Sequence, residues 1–222
     1  MDTSPPIPGT IAGMRKASLA PVLAGLLVLL ATPVRAELPL EITPWAGYVS
    51  GGSFIDAATN DVLRVGDSAG FGLVLGLRDT PVSGYELLYS FQRTELGGYD
   101  APGTSGPTGL DVHYLHVGGV REFEHEKFRP FVAGALGLTA LVPDGAGQGS
   151  STNFSLSLGG GVKVPLSERA ALRLEGRGFL TFMQAGTGVF CAVSSGGGGC
   201  AVEVEGDTLG QIAVLAGISF AL

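Results

Sequence analysis

The sequence predicts an all-β protein: an eight-stranded antiparallel up-and-down transmembrane β-barrel, preceded by a cleavable signal peptide. Three observations carry this. The last eleven residues alternate without a break, with Ile212, Val214, Ala216, Ile218, Phe220 and Leu222 on one face and Ala213, Leu215, Gly217, Ser219 and Ala221 on the other. Side chains of a strand point alternately to its two faces, so one row here is greasy enough for lipid and the other small enough for a narrow interior. An export signal stands near the N-terminus. The 37 glycines of the 222 residues alternate with Leu, Val and Phe inside strand-like runs, which reads as backbone crowding rather than disorder.

The export signal has three parts. Arg15 and Lys16 form a basic region, Leu19 to Ala31 an apolar run, and Val34-Arg35-Ala36 a small-residue cleavage site before Glu37. The apolar run is too short to span a bilayer, which takes roughly 20 residues. A start at Met14 would give this signal its conventional length. The division expected is residues 1–36 as signal peptide and 37–222 as one barrel domain. Removing Arg15, Lys16, Arg35 and Asp2 leaves a mature chain of 186 residues with 10 basic and 19 acidic side chains, a formal charge of −9. That excludes a basic nucleic-acid footprint. No mature segment is a candidate transmembrane helix, so a closed barrel is the remaining way to satisfy the backbone in lipid. Eight strands of about 9–11 residues fit the length with loops to spare.

The strands follow in order. The first runs near Leu40 to Gly51 with Trp45 and Tyr48, and Pro44 is tolerable there near a strand end. The second, Ala69 to Leu77, sets Phe71, Leu73, Leu75 and Leu77 against Gly70, Gly72, Val74 and Gly76. The third, Gly84 to Arg93, sets Tyr85, Leu87, Tyr89 and Phe91 against Glu86, Leu88, Ser90 and Gln92. The fourth spans about Leu110 to Phe123 and leaves open whether Arg121 or Glu122 faces inward. The fifth, Pro130 to Leu141, has Val132, Gly134, Leu136 and Leu138 as its outward row. The sixth opposes Phe154, Leu156, Leu158, Val162 and Val164 to Ser155, Ser157, Gly159, Gly161 and Lys163. The seventh opposes Leu172, Leu174 and Leu180 to Arg173, Glu175, Arg177 and Thr181, and the eighth closes the chain.

Connections after the second, fourth and sixth strands are short (78–83, 124–129 and 165–169), and the others are long. Short turns on the periplasmic side, long outer loops and both termini inside are what a membrane barrel requires. A soluble calyx also alternates. The outward rows here are nearly free of charge, the inward rows hold Gly, Ser and ions, and the last strand ends with the chain.

YELLYSFQRTEL (85–96), LDVHYLHVGGVREF (110–123), RPFVAGALGLTAL (129–141) and FSLSLGGGVKVPLSERAALRLEGRGFLTF (154–182) form a run of segments before a loop holding Cys191 and Cys200 and a final strand. This resembles the small outer-membrane β-barrel proteins of Gram-negative bacteria, broadly the OmpA/OmpX/OmpW-like group, over essentially the whole mature chain. The resemblance implies the fold and a place in the outer membrane, with lipid, lipopolysaccharide and the general export and barrel-assembly machinery as partners. It implies little about activity, since members have diverse roles. Leu222 stands where an aromatic is commonest, with Phe220 two residues earlier.

Candidate chemistry is sparse. Glu86, Lys163, Arg173, Glu175 and Arg177 fall on lumen rows, and buried ions must be paired. They are expected to plug an interior just wide enough for side chains; a narrow ion path is the alternative. Cys191 and Cys200 are the only cysteines and, in an exported chain, are expected to form a disulfide. His113 and His116 are three apart and so on opposite faces, while His125 belongs to a solvated turn. No serine stands two residues from a histidine and no nucleophile elbow is present, so an enzyme is not expected. No pattern calls for a cofactor or a metal. Trp45, Tyr48, Tyr85, Tyr89, Phe91, Tyr114, Phe123, Phe128 and Phe220 are expected in interfacial girdles. The loop acids Asp56, Asp61, Asp67, Glu95, Asp100, Asp144 and Asp207 lack calcium-loop spacing and read as solvated charge. The expected function is structural, supporting envelope integrity or surface adhesion; a narrow channel for small solutes or hydrophobic molecules is the alternative, and the barrel is expected to be a monomer.

Overall fold

The computed structural model of the chain describes residues 40–55, 62–97, 108–144, 150–183, 187–194, 197–204 and 208–222. Its strands are β1 (Leu40–Ser50), β2 (Ser53–Ile55), β3 (Val62–Val65), β4 (Ser68–Thr80), β5 (Ser83–Gly97), β6 (Thr108–Glu122), β7 (Arg129–Pro143), β8 (Ser151–Pro165), β9 (Ala170–Phe182), β10 (Thr187–Ser194), β11 (Gly197–Val204) and β12 (Thr208–Ala221). The signal segment and Asp56, Asp61, Asp100 and Asp207 lie outside the described residues.

Eight strands close a ring in the order β5-β4-β1-β12-β9-β8-β7-β6, and β6 returns to β5. Every neighbouring pair is antiparallel. Closure sets the first strand against the last, with Trp45 opposite Gly217 and Tyr48 opposite Val214. A closed ring has no unpaired edge, the condition for strands in lipid.

The alternation assigns the faces. Leu158, Val214 and Ile212 keep 66–70 % of their surface exposed on the outside, while Leu88, Val112 and Ala213 on the alternate rows are fully buried. In β6, Glu122 is inward and Arg121 outward, which resolves the open register. Pro44 stands well inside β1 rather than near its end. Its neighbourhood yields on one side only: pairing with β12 skips Thr43 and Pro44, while pairing with β4 runs through both. A residue without an N–H breaks one ladder and leaves the other.

Two corrections concern aromatics. Trp45 and Tyr114 are not girdle residues but buried in the lumen, 6 % and 1 % exposed. Parity decides it, because Trp45 shares its row with Thr43 and Val49, and Tyr114 shares its row with Val112 and His116. The inward glycines of β4 make the room: a Cβ at Gly72 would lie 2.8 Å from the Trp45 ring. Tyr114 stacks on Phe179 with centroids 4.3 Å apart. Phe128 sits in the β6–β7 turn beside His125, their rings 4.1 Å apart.

Two long connections hold strands where loops were expected. β2 and β3 form a hairpin whose β3 pairs with the upper end of β5, Val65 opposite Leu96. β10 and β11 form a separate two-stranded sheet between β9 and β12.

Candidate functional site

The interior is stacked in layers between the end with short turns and the end with long loops. At the turn end, Lys163 of β8 donates to Glu41 Oε1 of β1 (2.6 Å) and to Glu122 Oε1 of β6 (2.8 Å). Arg78 and Arg129 flank this group, 3.8 Å from Glu41 and from Glu122 respectively.

Above it lies a ring of four charges. Arg173, Glu175 and Arg177 occupy successive inward positions of β9, and Glu86 reaches them from β5, on the opposite wall of the ring. Arg173 donates to Glu175 Oε2 (2.9 Å) and Glu86 Oε2 (3.1 Å); Arg177 donates to Glu175 Oε1 (2.6 Å) and Glu86 Oε1 (2.5 Å). Each carboxylate thus receives both guanidiniums, and the quartet is neutral. All four residues are at most 5 % exposed. Gly159 gives them space, since a Cβ there would come 2.7 Å from Glu175 Oε1 and 3.2 Å from Arg177 Nε. Arg173 also lies 4.5 Å over the Phe131 ring. The five charges singled out in the sequence therefore fall into two groups, with Lys163 apart from the other four.

A neutral polar band follows. His116 Nδ1 and Nε2 are hydrogen-bonded to Ser157 Oγ (2.9 Å) and Ser155 Oγ (2.8 Å), and Arg177 donates to Ser157 at 3.3 Å. Tyr114 donates to Gln211 Oε1 (2.5 Å), and Gln211 in turn donates to Gln92 Oε1 (3.1 Å). Thr139 and Thr181 hydroxyls are 2.9 Å apart. The serine–histidine contact leaves no local motif in the sequence, because β6 and β8 bring it together across some forty residues.

Towards the loop end the interior turns largely apolar, with Thr94, Thr108 and Ser151 buried opposite Leu110, Leu96 and Leu141. Val49, Leu96, Leu110, Leu141, Leu209 and Met183 are 0–4 % exposed, joined by Leu63 and Val65 from β3. The sequence signal was present: Leu88 and Leu96 share the inward row of β5 with Glu86. Between Trp45, Val74, Arg173 and Leu215 the free volume is about 10 Å³, room for one water at most.

No protein-family model and no curated protein matches the chain. Solved structures do. The chain is similar to Neisserial surface protein A (NspA), at 15 % identity over 82 % of this chain and 97 % of that one, with a TM-score of 0.52. It is similar to the outer membrane protein AlkL, solved in DMPC bilayers, at 11 % identity over 86 % and 94 % with a TM-score of 0.53. OprG of Pseudomonas aeruginosa gives 11 % identity over 82 % and 95 %, with a TM-score of 0.50. The fold is that of the eight-stranded outer-membrane β-barrels.

The barrel carries its remaining candidates outside the ring. Cys191 and Cys200 are directly opposed between β10 and β11; their side chains lie outside the described ones. His113 faces outward, accepting or donating to Tyr89 Oη at 3.0 Å beside Phe91. Asp67 is not free loop charge: it accepts the Gly51 N–H (2.6 Å) and the Tyr48 hydroxyl (3.4 Å). Among the described residues, no group of three His, Cys, Asp or Glu side chains is placed to hold a metal ion.

Proposed function

We propose that this is a closed, monomeric outer-membrane barrel of structural or adhesive role, with its outer loops as the presented surface. One observation carries the reading: two unlike seals cross the same lumen. The charge quartet spans it from wall to opposite wall, and an apolar layer lies beyond it towards the loops. An ion passing the first would have to separate paired charges, and at the second it would meet a largely apolar layer whose polar groups, Thr94, Thr108 and Ser151, carry no charge. Lipid and lipopolysaccharide surround the belt, and export and assembly use the general machinery. The reading is also non-enzymatic, because His116 is fully buried and serine hydroxyls occupy both of its ring nitrogens.

Planar-bilayer recording of the refolded mature protein tests it. Silence from a heat-modifiable, folded barrel is expected. Discrete, reproducible steps would favour a narrow channel, for which the polar run from Arg173 through Arg177 and Ser157 to His116 is the available path.

A second prediction concerns the β10–β11 hairpin. Directly opposed residues of an antiparallel pair have Cα atoms about 4.5–5.5 Å apart, within the range a disulfide needs. A bond between Cys191 and Cys200 would stabilise the loop by about 2–3 kcal/mol. Thiol titration of the unfolded, unreduced protein should find no free thiol, and Cys200→Ser should lose that stability. Two titratable thiols would rule the bond out.

A further inference from the structure

The turn end holds a cavity of about 230 Å³ that the closed-lumen reading does not use. Its wall changes character in a definite order. Glu41, Glu122 and Lys163 line it from the lumen. Leu77 and Tyr85, paired across β4 and β5 on the outward face, line it from outside. The cavity therefore passes over the rim and joins a charged interior to the apolar belt.

Its charged groups are incompletely matched. Arg78, Arg129 and Arg169 stand around the opening, with Glu168 beside Arg169. The first two come no nearer than 3.8 Å to Glu41 and Glu122, short of hydrogen bonding. Glu122 is 6 % exposed; its Oε1 is held by Lys163, while its buried Oε2 has no hydrogen-bond partner among the described residues, only the Arg129 guanidinium 3.8 Å away. Buried polar atoms are normally satisfied, so this oxygen asks for a donor. A lone anion would suit the arginines but face Glu41 and Glu122. A lone cation would suit Glu122 but face three guanidiniums. A zwitterion meets both demands, and an apolar tail on it would meet Leu77 and Tyr85.

We propose that the turn-end mouth binds a zwitterionic phospholipid of the phosphoethanolamine type. Its phosphate lies among Arg78, Arg129 and Arg169, its ammonium on Glu122 Oε2, and its acyl chains descend the outward face past Leu77 and Tyr85. The site is at headgroup level because it lies at the foot of the belt.

Native mass spectrometry of the folded mature protein tests this, after incubation with equimolar phosphatidylethanolamine, phosphatidylglycerol and phosphatidylcholine of identical chains. Phosphatidylethanolamine should be retained at least fivefold over the other two. Glu122→Gln should abolish that preference, and Arg169→Ala, on an exposed turn, should weaken retention of phosphatidylethanolamine about tenfold, the scale of one charged hydrogen bond. Equal retention of the three lipids by the natural protein overturns the proposal, as does an unchanged preference in Glu122→Gln. If Glu122→Gln does not fold, undiminished retention by Arg169→Ala overturns it alone. Soluble glycerophosphoethanolamine should compete poorly; competition as strong as the lipid's would remove the acyl-chain part and with it the lipid as occupant.

Discussion

Replacing Arg177 with methionine should destabilise the folded barrel by about 3–5 kcal/mol, the scale for breaking a buried ion pair from one side. The side chain is 1 % exposed and donates to Glu86, Glu175 and Ser157. Methionine keeps much of the volume and none of the donors. It leaves two carboxylates sharing Arg173, a net negative charge on side chains at most 5 % exposed. Urea titration of the barrel in lipid vesicles, with the heat-modifiable gel shift reporting the folded fraction, measures the loss. Adding Glu86→Gln to Arg177→Met should recover a substantial part of it, because the surplus charge is then gone. A loss below about 1 kcal/mol would mean that the carboxylates are solvated and the lumen is wet, against the closed-barrel reading. Buried pairs contribute little net stability over well-packed apolar side chains. The quartet is better understood as a filler that fixes how opposite walls meet.

What the sequence showed and what it hid both follow from the two-residue period of a strand. Eight barrel strands were legible because Phe71–Leu77, Phe154–Val164 and Ile212–Leu222 alternate with inward Gly, Ser and Ala over a full span. Parity also put Glu86, Arg173, Glu175 and Arg177 on lumen rows. It could not show that Glu86 comes from the wall opposite β9, because that depends on ring order rather than spacing. Nor could it show that Lys163 prefers Glu41 and Glu122, one near the first residue of β1 and the other at the last residue of β6. Trp45 and Tyr114 misled because a large aromatic suits a girdle and a lumen equally by composition; the glycines facing Trp45 were the missed clue. The β2–β3 and β10–β11 hairpins were hidden for another reason. β2 and β3 are only three and four residues long and β11 opens on three glycines, so they carry little of the hydrophobic alternation that marks the long strands.

The layering has a consequence for the direction in which the barrel is sealed. The turn end is open as far as Lys163 and Arg173, which line a cavity of about 230 Å³. Towards the loop end lies the largely apolar layer, which buries Leu63 and Val65 of β3. Lys163 and Arg173 thus border open space on the turn side. In the closed-barrel reading proposed above, loops at the far end would carry recognition without bearing on the pore, and the turn-end mouth would hold the proposed lipid without passing it through.

The strongest test of the belt itself is Leu136→Arg, which should cost about 2–4 kcal/mol for folding into a bilayer, as a cation does near the midplane of a barrel wall. Leu136 lies at the centre of β7, 56 % exposed, between outward Val117 of β6 and Leu156 of β8. No polar group is offered to a guanidinium there. In a water-soluble β-protein the same exposed position would tolerate arginine within about 0.5 kcal/mol, so one substitution separates the two solvents. Depth supplies the internal control. Val132, four residues nearer the turn end on the same row, is already paired with the outward Arg121, and Val132→Arg should lose no more than about 1 kcal/mol, since the penalty fades at the interface. Titration of both variants in vesicles gives the comparison. Equal, small losses at the two positions would mean that the outward row faces water, and the membrane reading of this barrel would fall with it.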